Sequence, residues 1–176
     1  MRRVVLDAAL TVLDRDGAAG LTVRAIAAEA GCSTTGVYTY FGGKHGLVEA
    51  IYVEGFHSFG ETLAASYAEH DLIGAGRAYR RWALDHPTHY LVMFGRAVPD
   101  FVPGEAATIT SQLAFQDLVD AVAASGASDP VGTAYRLFAT VHGYVMLELV
   151  GMGPVESAQL EAYYEVGLAG CIGDVE

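Results

Sequence analysis

Apolar residues recur every three or four positions along most of the chain, and sustained apolar–polar alternation is absent, so helices are expected and strands are not. Residues 2–16 read as a first helix with Val5, Ala8, Ala9, Val12 and Leu13 on one face, and Gly17 ends it. Thr22 then stands as the N-cap of a second helix, with Leu21 and Ile26 in the positions of a hydrophobic staple. That helix ends near Ala30, where Gly31 supplies a turn. Ser33 caps a third helix in the same way, with Cys32 and Val37 as its staple, so Cys32 is expected to pack rather than to serve redox or metal chemistry.

A long helix follows over residues 44–70, with Val48, Tyr52, Phe56, Phe59, Leu63 and Tyr67 along one stripe. Gly55 and Gly60 inside it each cost about 1 kcal/mol relative to alanine, and either close helix contact or a tolerated interruption accounts for them. Residues 71–76 break the pattern. Further helices are expected over 75–86, 87–96, 105–125, 130–151 and 155–172, punctuated by Pro99, Pro103, Gly126, Pro130, Gly153 and Pro154. The expected fold is all-α with about nine helices: a three-helix unit over residues 1–46 and a helical domain over 47–176.

Composition supports a packed fold: 52% of the 176 residues are hydrophobic and the mean hydropathy is +0.31, which argues against disorder. No apolar run reaches about 18 residues without a charge, so no membrane span is expected. Asp7, Asp14 and Asp16 interrupt the apolar start, which therefore belongs to the fold and not to a signal peptide. Cys32 and Cys171 form neither a disulfide framework nor a metal spacing, and a reduced, cytoplasmic setting is expected.

A net charge of −11 argues against a nucleic-acid partner until it is divided along the chain. Residues 1–50 carry five basic side chains (Arg2, Arg3, Arg15, Arg24, Lys44) and five acidic ones, so the whole excess lies beyond residue 50. The N-terminal end is then the plausible place for a polyanion, with modest non-specific affinity because few phosphates can be neutralised.

The second and third helices have the form of a helix-turn-helix. Ser33, Thr34, Thr35, Gly36 and Thr39 give the third helix a small, polar outer face, its first-turn N–H groups attract anions, and Tyr38 and Tyr40 offer uncharged hydroxyl donors to phosphate. An ordinary solvated face with two part-buried tyrosines is the competing reading. Lys44, the one lysine of the chain, stands at the first turn of a helix, where a cation opposes the macrodipole by a few tenths to about 1 kcal/mol. A phosphate contact would explain that placement.

The segment VRAIAAEAGCSTTGVYTYFGGKHGLVEA resembles the N-terminal DNA-binding signature of the tetracycline-repressor (TetR) family, over about residues 4–55. The resemblance implies an all-α, homodimeric transcriptional regulator, usually a repressor released from a palindromic double-stranded DNA operator by a small-molecule effector. Carried over by position, Thr22, Ser33, Tyr38, Tyr40 and Lys44 would hold the phosphate backbone, and Arg24, Thr34, Thr35, Gly36 and Thr39 are the candidates for base readout. Thr35 stands where many members have glycine, and Gly43 where serine or aspartate often caps the fourth helix. The sequence as given starts almost at the first helix, and no basic arm is expected to add affinity.

Beyond residue 70 the chemistry is sparser. Tyr135, Phe138, His142, Val145 and Leu149 make one apolar stripe with a histidine in it, and Tyr79, Trp82 and His86 make another. A histidine on such a face serves as a satisfied core residue or as the polar anchor of a pocket. RRWALDHPTHYLVMFGRA and TVHGYVMLELVG are similar to the C-terminal domain of a TetR subgroup labelled by a Trp-His-Gly pattern; His142 and Gly143 match, and Phe138 stands where its tryptophan is expected. That resemblance implies a pocket for a largely apolar effector lined by Tyr79, Trp82, Met93, Phe94, Phe115, Phe138, His142 and Met146. No metal or cofactor is expected: Pro87 separates His86 from His89 without an acid cluster nearby in sequence. Residues 130–151 and 155–172, with the small residues Ala158, Ala162, Ala169, Gly170 and Gly173, are the expected dimerisation helices. Two other functions stay open: a helical protein-interaction module without DNA binding, and a small enzyme using His142 with Tyr144 or Glu148. The i+2 and i+6 spacings set the latter two off the face of His142.

Overall fold

The computed structural model describes residues 1–153 and 156–172. Among these the chain is all-helical, with nine helices: α1 (Arg2–Gly20), α2 (Val23–Glu29), α3 (Thr34–Phe41), α4 (Lys44–Ala68), α5 (Leu72–Asp85), α6 (Pro87–Met93), α7 (Glu105–Ala124), α8 (Pro130–Leu149) and α9 (Ser157–Ile172). The expected start of the last helix at Val155, and the Pro154 break, lie outside the described residues, as does Gly173. None of the described helices is long and apolar enough to cross a membrane.

Where helix ends differ from expectation, local chemistry explains it. Gly17 adopts φ 64° and ψ −171° and interrupts α1, after which residues 18–20 complete another turn. The Asp71 carboxylate accepts from the Gly74 N–H at 2.7 Å, so what read as a break is a cap, and α5 starts at Leu72. Asp129 caps α8 in the same manner through Gly132 N–H at 3.0 Å.

The chain forms two compact units. The first joins Met1–His57 to His86–Ser111. Its core is Val5, Leu6, Ala9 and Val12 of α1 with Leu21, Ile26, Val37, Leu47, Val48 and Ile51, all essentially inaccessible. Of the two expected staple pairs, Leu21 and Ile26 are fully buried, and Val37 is fully buried while Cys32 is half-buried. Gly55 has a packing reason, because a Cβ there would lie 2.5 Å from Met93 Sδ. Arg3 and His89 both reach Glu54, at 2.8 and 3.5 Å, and Thr88 donates to Asp14 at 3.2 Å, which ties α6 to α1.

The second unit joins Ser58–Asp85 to the chain from Gln112 onward. Here α5, α8 and α9 pack together. The Leu168 side chain sits on Gly76, the Tyr164 hydroxyl donates to the Gly76 carbonyl, and the Tyr144 ring lies on Gly167. Arg80 and Glu148 form a two-point ion pair (3.0 and 2.8 Å) with both side chains about six-sevenths buried, at 14% and 13% exposure. The buried face of α8 is Thr133, Ala134, Leu137, Val141 and Val145. Of the expected stripe, Val145 lies on that face, while Tyr135 is exposed and Phe138, His142 and Leu149 are half-buried.

Candidate functional site

The helix-turn-helix is assembled by its caps. Thr22 Oγ1 accepts from Ala25 N–H at 3.1 Å and Ser33 Oγ from Gly36 N–H at 3.3 Å, so each hydroxyl closes the first turn of its helix. Between the helices, Gly31 turns the chain with φ 63°, and Cys32 N–H returns to the Ala27 carbonyl at 2.9 Å. The outcome is a short α3 held by two buried residues, Val37 and Phe41, with Gly36 half-buried and its other residues exposed.

The residues expected at a DNA interface are accessible, with Lys44 and Gly36 half-buried. Thr22, Arg24, Ser33, Thr34, Thr35, Tyr38, Thr39 and Tyr40 are exposed, and Gly36 is half-buried under Cys32. Arg3 is tied to Asp7 and Glu54, and Arg15 to Asp16 and Glu29, while Arg24 enters no salt bridge among the described residues. The positive charge left for a polyanion near α2 and α3 is thus smaller than the composition suggests.

Lys44 has an internal partner that the sequence did not announce. Its Nζ donates to the Ala18 carbonyl at 3.3 Å, in the turn that follows the Gly17 interruption. That carbonyl offsets part of the conflict with the α4 macrodipole, and two N–H bonds of the ammonium remain for another acceptor. Gly43 also gains a reason. It adopts φ 122°, and a Cβ there would stand 3.2 Å from Tyr38 Cε1, so serine or aspartate would be strained and would press on the ring.

In the second unit an aromatic cluster gathers five of the eight expected effector-site residues. Tyr79 and Trp82 of α5 flank Phe59 of α4 at 5.1 and 5.3 Å, Phe138 meets Tyr79 and Phe115 at 6.5 and 6.2 Å, and His142 stacks on Phe138 at 5.4 Å. The Tyr79 hydroxyl lies 3.4 Å from His142 Nδ1, a long contact, and burial holds the imidazole below its ordinary pKa. Met146 follows half-buried one turn further along α8. Met93 and Phe94 pack in the first unit instead, on Gly55 and on Phe56 and Tyr90. Phe59 was legible only as part of a helix stripe. Glu148, a candidate partner for His142 in an enzyme, is held by Arg80.

Sequence reasoning missed a cavity of about 400 Å³ between α4 and α7, lined by Gly60, Ala64, Tyr67, His70, Asp117, Asp120, Ala121 and Ala124. Burial, with Asp117 nearby, raises the Tyr67 phenol above its ordinary value. Gly60 leaves open space there.

Helix-turn-helix and helical second unit together define a class, the bacterial regulators of the tetracycline-repressor type. The comparisons agree: residues 5–51 match the family described as bacterial regulatory proteins, tetR family, and residues 72–170 match the tetracyclin repressor-like C-terminal domain. The chain belongs to the TetR family. It is 30% identical over 122 residues to the HTH-type transcriptional regulator Rv1816 of Mycobacterium tuberculosis, covering 62% of this chain and 52% of that protein. The chain thus spans about half the length of the curated relatives it matches first. Among solved structures, SCO4313, described as a regulatory protein, superposes with a TM-score of 0.86 at 27% identity, covering 98% of this chain and 95% of the other. The multidrug binding protein EbrR, solved with imidazole, shares the fold with a TM-score of 0.68 at 22% identity, over 97% and 88% of the two chains.

Proposed function

We propose that this protein is a ligand-responsive, DNA-binding transcriptional regulator that represses from a palindromic operator and is released by a small, largely apolar effector. The observation that carries the reading is α3 itself: a helix capped at Ser33, buried only through Val37 and Phe41, with Thr34, Thr35, Tyr38, Thr39 and Tyr40 exposed and Gly36 half-buried among them. In this reading residues 1–46 bind DNA. Thr22, Ser33, Tyr38, Tyr40 and Lys44 hold phosphates, while Arg24 and the outer face of α3 read bases.

Residues 47–176 would bind the effector and a second copy of the chain. The ring cluster of Tyr79, Trp82, Phe115, Phe138 and His142 supports an aromatic-lined effector site, with the phenol of Tyr79 and the imidazole of His142 as its polar end. Met93, Phe94 and Met146 remain proposed lining. A relation to the Trp-His-Gly subgroup rests on His142 and Gly143. EbrR, a protein of the same fold, was solved with the small aromatic base imidazole, which is compatible with such a ligand. Exposed Val131, Tyr135 and Leu147 on α8 and Tyr163 and Val166 on α9, with exposed Ala162, Ala169 and Gly170, support dimerisation there. The side chain of Ala158, also proposed for this surface, is outside the described residues, as is Gly173. The site of action would be the cytoplasm, where the DNA is.

A gel shift of the full chain with the DNA upstream of its own gene tests the reading. A retarded band that weakens steeply with salt is expected. No shift at low salt would overturn it and favour a protein-interaction module; a monomer in light scattering at micromolar concentration would remove the dimer.

A further inference from the structure

Within the DNA-binding reading, the structure separates the groups of α3 that face a groove from those that flank it. At about 100° per residue, buried Val37 and Phe41 set the inward direction, and Thr39 falls almost opposite to them. Thr35 and Gly36 lie to either side of Thr39, and the exposed rings of Tyr38 and Tyr40 stand about 100° away on the two flanks. The outermost ridge of the helix is therefore centred on Thr39, with a phenol on each side in position for the phosphates that border a groove.

The hydroxyl of Thr39 is already engaged. Its Oγ1 donates to the Thr35 carbonyl at 2.9 Å, one turn back. A threonine bonded in this way has turned its oxygen along the helix axis toward the N-terminus, and its Cβ substituents are locked in that rotamer. Its donor is used, and the Cγ2 methyl is the branch that makes no hydrogen bond. Glycine at position 36, which offers no side-chain group at all, lies beside it.

We propose that Thr39 reads the C5-methyl group of a thymine through its Cγ2 methyl, so that the central contact of this recognition helix is apolar. Thymine alone among the four bases presents a methyl group in the major groove, and a threonine methyl is a suitable partner for it. The proposal rests on the DNA-binding reading and adds to it the kind of base and the kind of contact.

The test begins with duplexes selected by the full chain from a random-sequence pool. Thymines of the selected half-site are replaced one at a time by deoxyuridine, which removes only the methyl, and Kd is read by fluorescence anisotropy. At one thymine the replacement should weaken the unmodified protein about fourfold, the effect of exposing one methyl-sized group. Thr39→Val, which keeps the methyl and lacks the hydroxyl, should keep that discrimination. Thr39→Ser, which keeps the hydroxyl and lacks the methyl, should bind thymine and uracil equally while its circular dichroism stays helical. A Thr39→Ser variant that still prefers thymine overturns the proposal, as does a half-site at which no thymine matters. A pool yielding no bound duplex at low salt removes the regulator reading and this proposal with it; a bound duplex indifferent to uracil removes this proposal alone.

Discussion

The ammonium of Lys44 donates to the carbonyl of Ala18, 26 residues earlier in the chain, at 3.3 Å. One side chain thereby fastens the start of α4 to the turn that ends α1, and the same side chain is the proposed phosphate ligand. The two roles separate experimentally. Lys44→Ala should lower the slope of log K against log salt by about 1 and cost about 1 kcal/mol of stability. Lower stability with an unchanged slope in anisotropy titrations would leave Lys44 with the internal role only.

Ser33 distinguishes capping from DNA contact. Ser33→Ala removes the acceptor for Gly36 N–H and should cost about 1 kcal/mol in urea denaturation. Ser33→Asp retains an N-cap acceptor and adds a negative charge at the proposed phosphate site. It should be close to the parent in stability and bind DNA far more weakly.

Gly43→Ala should destabilise the protein by more than about 1 kcal/mol, because φ 122° is unfavourable for alanine and its Cβ would crowd the Tyr38 ring. The urea midpoint reads this directly. A midpoint equal to the parent's would mean that the turn relaxes at no cost.

Two histidines, His142 and His89, are held below their ordinary pKa chiefly by burial, the latter opposed in part by Glu54. The unfolded chain then binds more protons than the folded one just below pH 6.5, so stability rises with pH in that range. This contribution is complete above pH 6.5 and is lost as pH falls toward the depressed folded values. His142→Gln should flatten the dependence of the urea midpoint on pH between about 7 and 5; an unaltered profile would assign the dependence to other groups.

The Arg80–Glu148 pair should show strong coupling. Glu148→Leu or Arg80→Met alone leaves a charge with little exposure and should cost about 3 kcal/mol. The double change Arg80→Met with Glu148→Leu should cost less than either single change, as measured in a double-mutant cycle. Additive losses would mean that the pair is solvated in solution.

Helix positions, caps and staples were legible because they depend on neighbours within a few residues, as Thr22 with Ala25 and Leu21 with Ile26 do. What depends on partners distant in sequence was not. Residues 71–76 read as a break because two glycines lie in them, yet Asp71 caps a helix there and Gly76 is kept small by Leu168, 92 positions on by sequence number. On α8 Val145 faces the core as the stripe expects, but Leu137 and Val141 fill the places beside it, while Phe138 and His142, conspicuous in the sequence for their chemistry, lie half-buried. The hydroxyl face of α3 was read correctly as exposed, but nothing in the sequence tells that Thr39 spends its proton on Thr35 or that Lys44 reaches Ala18. The α4–α7 cavity has small residues and acids at its wall, which carry no periodic signal of a hollow.

The joint formed by Gly42 and Gly43, with φ 70° and 122°, stops α3 at a fixed residue. It locks a phase relation between the outward ridge and the start of α4. One residue inserted before the joint would advance the chain by about 1.5 Å and rotate it by about 100°, taking Lys44 away from Ala18. Point changes at Thr35, Gly36 or Thr39 leave that phase intact. In the proposed reading, a new operator is therefore within reach of substitution on the ridge and closed to changes in its length.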